Sequence, residues 1–120
     1  MKTVIYLAGP LLPENRQRFH DVEAKVLAKW FGNAEKVILN PATLPRGLTE
    51  QDYMSIGMQM LFAADTLVML DGWEQSAGAT IEFNMAKKCG KRIFSETKGL
   101  LFAPSPGSFD VPPHWRLARD

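Results

Sequence analysis

The chain has 120 residues, enough for one domain with a modest core and too few for two. Hydrophobic residues make up 46% and charged residues 22%, an ordinary globular balance, and no stretch approaches the ~20 apolar residues of a membrane span, so no membrane partner is expected. Lys plus Arg (14) nearly matches Asp plus Glu (13), which leaves no electrostatic reason to expect nucleic acid as a partner.

Thr3 to Ala8 reads as the first strand, because Val4, Ile5, Tyr6 and Leu7 form the continuous apolar run of a strand buried on both faces. Gly9-Pro10 ends it. Pro13-Glu14-Asn15 opens a helix running to about Phe31, with Phe19, Val22, Val26, Leu27, Trp30 and Phe31 at helical spacing and Gly32-Asn33 as its stop. Lys36 to Leu39 predicts a second short strand, ended by Asn40-Pro41. Residues 41–49 carry Pro41, Pro45 and Gly47 and read as a loop. Thr49 with Asp52 matches a helix start in which each side chain bonds the other's backbone N–H. That helix places Tyr53, Ile56, Met60 and Leu61 on one side and ends near Ala64. Thr66 to Leu70 predicts a third strand and Asp71 to Ser76 a loop. Ala77 to Cys89 predicts a helix with Ile81, Met85, Ala86 and Cys89 as its apolar face and Gly90 just beyond it. Arg92 to Ser95 is the fourth strand, and Leu100-Leu101-Phe102 fits a short fifth. The rest of the tail, 99–120, reads as irregular, with Phe109 and Trp115 expected to pack on a neighbour or cover a site.

This alternation predicts a single α/β domain with parallel strands joined by right-handed crossovers. In such sheets ligands bind beyond the carboxyl ends of the strands, where strand order reverses. The loops to search are therefore Gly9-Pro10, Asn40 to Thr49, and Asp71 to Ser76. Cys89, the one cysteine, allows no intrachain disulfide, and no leader-like charged and apolar segment opens the chain; a cytoplasmic setting is expected. Lys87, Lys88, Lys91 and Arg92 gather at a helix end, where cations complement the helix dipole. His20 and His114 stand alone, so no metal is expected. No cofactor motif is present either: Gly9-Pro10 lacks the repeated glycines of a dinucleotide loop and the lysine of a phosphate loop.

The most informative stretch is Ser76-Ala77-Gly78-Ala79-Thr80-Ile81-Glu82, which follows a strand and opens a helix. Ser76 is either an N-cap or a donor to an anion at the helix start, and the two roles are compatible. Glu82 leans back over Gly78, whose missing side chain would leave room for a ligand beside the carboxylate. The alternatives are a solvated Glu82 and a Gly78 that relieves packing. Tyr6 is either a core aromatic or a hydroxyl offered to a carboxylate or sugar. Trp73 could stack on a base or cap the core. Asp71 and Glu74 share its loop, and Asp65 reads as structural.

Taken together, Tyr6-Leu7-Ala8-Gly9-Pro10, Asn40-Pro41, Ala64-Asp65, Gly72-Trp73-Glu74 and Ser76-x-Gly78-x-x-x-Glu82 resemble the nucleoside 2-deoxyribosyltransferase-like superfamily. Tyr53-Met54 and Gly72-Trp73-Glu74-x-Ser76-x-Gly78-Ala79 resemble its small branch common in phages and prophages. The resemblance covers residues 3–95 and implies a three-layer, flavodoxin/Rossmann-like domain with a four- to five-stranded parallel sheet. It implies hydrolase or transferase chemistry, an N-glycosidase or deoxyribosyltransferase acting on a nucleoside or (deoxy)nucleoside 5′-monophosphate. Glu82 aligns with the catalytic carboxylate and Tyr6 with the tyrosine that orients it. Ser76 aligns with the serine that contacts phosphate in the monophosphate hydrolases. Gly78, Gly9, Pro10, Asn40, Asp71 and Trp73 complete the expected substrate-binding set. A homodimer or larger homo-oligomer is implied, with neighbouring subunits completing each site. No cofactor is implied.

The chemistry is coherent: cleaving an N-glycosidic bond builds positive charge at the sugar, which a nearby carboxylate stabilises or captures. One departure is plain. The hydrolases carry an aspartate in the helix before the third strand, and counting back from Asp65 that position is Gly57. Asp71, Glu74 or Asp52 would have to substitute. A non-catalytic nucleotide-binding or sequestering module is therefore the alternative, and an assembly protein that only retains the fold is a third reading.

Overall fold

A computed structural model describes residues 2–104, and within it strands and helices alternate as expected. Strand β1 (Lys2–Ala8) leads to helix α1 (Arg16–Lys29), β2 (Glu35–Leu39), α2 (Glu50–Ala63), β3 (Thr66–Met69), α3 (Ala77–Lys88), β4 (Arg92–Ser95) and β5 (Gly99–Phe102). Short 3-10 turns at Pro13–Asn15, Pro41–Thr43 and Trp73–Gln75 line the carboxyl-end loops. Phe109 and Trp115 lie outside the described residues.

The five strands form one sheet in the order β2-β1-β3-β4-β5, an α/β arrangement compatible with a Rossmann-like fold. β1 pairs in parallel with β2 and β3, and β3 with β4. The expectation of an all-parallel sheet is corrected at β5, which runs antiparallel to β4 with Ser95 opposite Gly99. Chain length gives the reason. Only residues 96–98 separate the two strands, and a parallel return needs a crossover of a dozen or more residues. Ser95 Oγ fastens the turn by accepting the N–H groups of Thr97 and Lys98.

Alternation along the strands sends side chains to two cores. Ile5, Leu7, Val68, Leu70 and Phe94 meet Phe19, Val22 and Val26 of α1 on one face. Tyr6, Ala8, Leu67, Met69 and Ile93 meet Leu61 of α2 and Ala79 and Ala86 of α3 on the other. Helices thus cover both faces, which is why the middle of β1 and most of β3 are apolar on both sides.

The helices differ in detail from the sequence reading. Leu27 and Ile81, assigned to apolar faces, are half exposed at 49% and 51%. Cys89 is exposed and caps α3. The buried residues of α3 are Ala79, Glu82 and Ala86, so a carboxylate occupies the middle of the packed face. Helix α1 stops at Trp30, and the first left-handed residue is Phe31 (φ 63°), one place before Gly32. Phe31 is fully buried with its ring edge-to-face on Phe94, so packing holds a conformation that glycine would adopt more readily.

The order reverses at β1, with β2 on one side and β3 on the other. Loops leaving the carboxyl ends of β1 and β3 diverge there and open a crevice. Among the described residues no helix is long and apolar enough to cross a membrane.

Candidate functional site

A cleft of about 610 Å³ lies at that reversal. Gly9 to Leu12 after β1 form one side. Leu48, Glu50, Tyr53 and Met54 from the start of α2 form a second, and Gly72, Gln75 and the residues opening α3 form a third. Tyr6 and Glu82 also line it, and both are nearly inaccessible, at 2% and 5% exposure.

The pair is joined directly. Tyr6 points from β1 toward α3 and donates its hydroxyl to Glu82 Oε2 at 2.5 Å. Burial pushes the Glu82 carboxyl up from 4.5 to about 7, and the bond from Tyr6 pulls it back only in part. Tyr6 is itself raised well above its ordinary value, first by burial, then by the Glu82 charge and hydrogen bond. The phenol therefore keeps its proton and remains a donor. Tyr6 is both a core aromatic and the partner of a carboxylate.

Gly57 makes room for this pair. A Cβ on Gly57 would sit 2.7 Å from the Tyr6 hydroxyl oxygen and 2.9 Å from Glu82 Oε2. Helix α2 thus lies with its backbone against the two oxygens, and the glycine lets it come that close.

Ser76 is the N-cap of α3, its Oγ accepting the Ala79 N–H at 3.2 Å, and it lines the cleft as well. Helix geometry leaves the N–H groups of Ala77 and Gly78 without intrahelical acceptors. Gly78 also lines the cleft, but the Met54 thioether occupies the space a side chain would take, with Sδ 2.8 Å from the position of a Cβ. Gly9 is needed for a close approach, since a Cβ there would meet Leu70 Cβ at 2.9 Å; Pro10 follows it in the cleft wall.

Three expected residues do not line this cleft. Asn40 is buried, accepting the Ala42 N–H and donating to Glu23 Oε1, which shapes the turn after β2. Asp71 accepts the Thr97 hydroxyl and gives its N–H to Glu96, and lines a separate cavity of about 290 Å³. Trp73 lines that second cavity too and stacks on Phe83, with ring centroids 4.6 Å apart. Asp65 is structural, accepting the Val4 N–H and the Thr66 hydroxyl.

Sequence reasoning did not pick out the Arg16–Tyr53 brace. Arg16 donates to the carbonyls of Ala42, Leu44 and Pro45 and to the Tyr53 hydroxyl, which in turn donates to Pro45 O. This ties the loop after β2 to the start of α2 and sets the cleft wall. Glu50 was also missed, and only a proline-rich loop followed by a capped helix signalled that a wall would stand there.

Residues 3–95 match the family model of a domain of unknown function, DUF4406. The chain belongs to the DUF4406 family. No curated protein matches the chain. The DUF4406 match takes in β1 to β4 and all three helices, so every residue lining the cleft falls inside it, whereas β5 lies beyond.

Proposed function

We propose that this DUF4406 chain is nucleoside 2-deoxyribosyltransferase-like, with a flavodoxin-like fold, and cleaves or transfers at the N-glycosidic bond of a nucleoside or (deoxy)nucleoside 5′-monophosphate. One observation carries the reading: Glu82, buried at the cleft, is held among the described residues by a single neutral donor, Tyr6. A purely structural acid would be expected on the surface or in an ion pair. A buried, partner-poor carboxylate with a displaced pKa, lining a cavity, suits nucleophilic work. Tyr6 holds Oε2, which leaves Oε1 to attack the anomeric carbon. As the Oε1–carbon bond forms the C–N bond breaks, its electron pair leaves with the base, and the base takes its proton from water. Water then releases the sugar from Glu82, or a second base accepts it.

The test is free-base release, by chromatography, from nucleosides and deoxynucleoside 5′-monophosphates, with Glu82→Ala alongside. Release that falls at least ~100-fold in the variant supports the proposal; release untouched by it, or none from the parent, sinks it.

A second reading, a binding or sequestering module without turnover, is favoured by Gly57. No acid stands at position 57 to serve the leaving base, and a side chain there would run into Tyr6 and Glu82. Its mark is thermal stabilisation by a nucleotide with no product. Either reading goes with a cytoplasmic homo-oligomer. The half-exposed Leu12 and Ile81 offer apolar contact for a second subunit, and light scattering across a concentration series tests for one.

A further inference from the structure

The charges lining the cleft are one-sided. Glu82 and Glu50 contribute carboxylates, and among the described residues no lysine, arginine or histidine lines it. Arg16 braces the same wall, but its guanidinium is engaged by three loop carbonyls and the Tyr53 hydroxyl. The features that favour an anion are weaker. They are the amino end of α3, worth about half a charge, and the neutral hydroxyl of Ser76, which accepts the Ala79 N–H and keeps its own O–H to donate.

Glu50 has no structural task that accounts for this placement. It is the first residue of α2, yet the cap is built by Thr49 and Asp52, each bonding the other's backbone N–H. Among the described residues nothing pairs with its carboxylate. An acid in a first helical turn is favoured by the dipole. That preference explains a carboxylate at this position and not its presence in the lining of the cleft.

We propose that Glu50 sets the ligand selectivity of the cleft, accepting hydrogen bonds from N–H donors on the ligand and excluding ligands that carry a phosphate. The inference rests on the reading that the cleft takes a nucleoside or nucleotide, and narrows it to the unphosphorylated form. An ionised carboxylate only accepts hydrogen bonds, so ring N–H and exocyclic amino groups complement it. A phosphate is also an acceptor and adds like charge, which no cation lining the described cleft offsets.

The experiment is calorimetric binding of each of the four common 2′-deoxynucleosides and its 5′-monophosphate to the full chain. It is done in a Glu82→Gln background, so that nothing turns over, with Glu50 and with Glu50→Gln and Glu50→Lys. With Glu50, each nucleoside that binds should do so about tenfold more tightly than its monophosphate, a gap of ~1.4 kcal/mol. The ratio should approach one in Glu50→Gln, invert in Glu50→Lys, and shrink with added salt. A monophosphate that binds more tightly with Glu50 in place, or a ratio indifferent to the residue at 50, overturns the inference and leaves the nucleoside reading standing. Failure of every ligand to bind overturns both.

Discussion

Alanine at position 57 would bring a methyl carbon within 2.7 Å of the Tyr6 oxygen and 2.9 Å of Glu82 Oε2, closer than packed atoms allow. Relieving the clash means shifting α2 or breaking the Tyr6–Glu82 bond. Overpacking of this kind costs about 1–3 kcal/mol, and chemical denaturation of Gly57→Ala should show a loss in that range. In a Tyr6→Phe background the loss should be smaller, since one of the two clashing oxygens is gone; an unchanged loss would place the strain elsewhere. Tyr6 also tunes its partner. Its hydrogen bond lowers a Glu82 pKa that burial raises, and about 7 is the net of the two. If the ionised carboxylate is the nucleophile, base release should climb with pH through about 7. In Tyr6→Phe that rise should move to higher pH; a rise that stays in place would remove Tyr6 from the titration.

At the scale of elements, the loop between β2 and α2 is held mainly by side chains. Arg16 and Tyr53, 37 residues apart in sequence, meet at 3.1 Å and fasten the carbonyls from Ala42 to Pro45. Arg16→Met keeps the apolar stem and removes every donor. Hydrogen exchange at Leu48, whose N–H points at the Tyr53 hydroxyl, should then speed by about tenfold or more. Ligand affinity should fall with the wall, while β1 and β3 keep their protection. The sequence carried no sign of this brace, because its halves lie on separate helices and neither breaks a local pattern. The helix start at Thr49 and Asp52 was legible, because both partners sit within one turn.

For the whole molecule, burying Glu82 ties stability to pH. The folded chain binds this proton with a pKa of about 7 and the unfolded chain with its ordinary 4.5. Between those values the folded state holds more protons, so stability falls as pH rises through the window and stays lower above it. The full effect is on the order of 3 kcal/mol. Glu82→Gln removes it. The variant should melt several degrees above the parent at pH 8, with most of the gain gone at pH 5, and melting at or below the parent at pH 8 would refute this. The burial itself was only half legible. Ile81, Met85, Ala86 and Cys89 proposed one face for α3; packing kept Ala86 and added Ala79 and Glu82, and an acid on a buried face defies the period-based reading that found the helix. The strands were read more easily. β1 from Val4 to Ala8 and β3 from Leu67 to Met69 are apolar because both faces are covered, and only the direction of β5 escaped, since it depends on the shortness of the turn before it.

That reversed strand also decides how the molecule can be held. β1 begins, and β5 ends, at the edge of the sheet opposite the cleft, with β3 and β4 between them. Three strand spacings separate the two ends, about 14 Å. A surface or fusion partner joined through Lys2 or Phe102 would meet that far edge, leaving the mouth of the cleft turned toward solution.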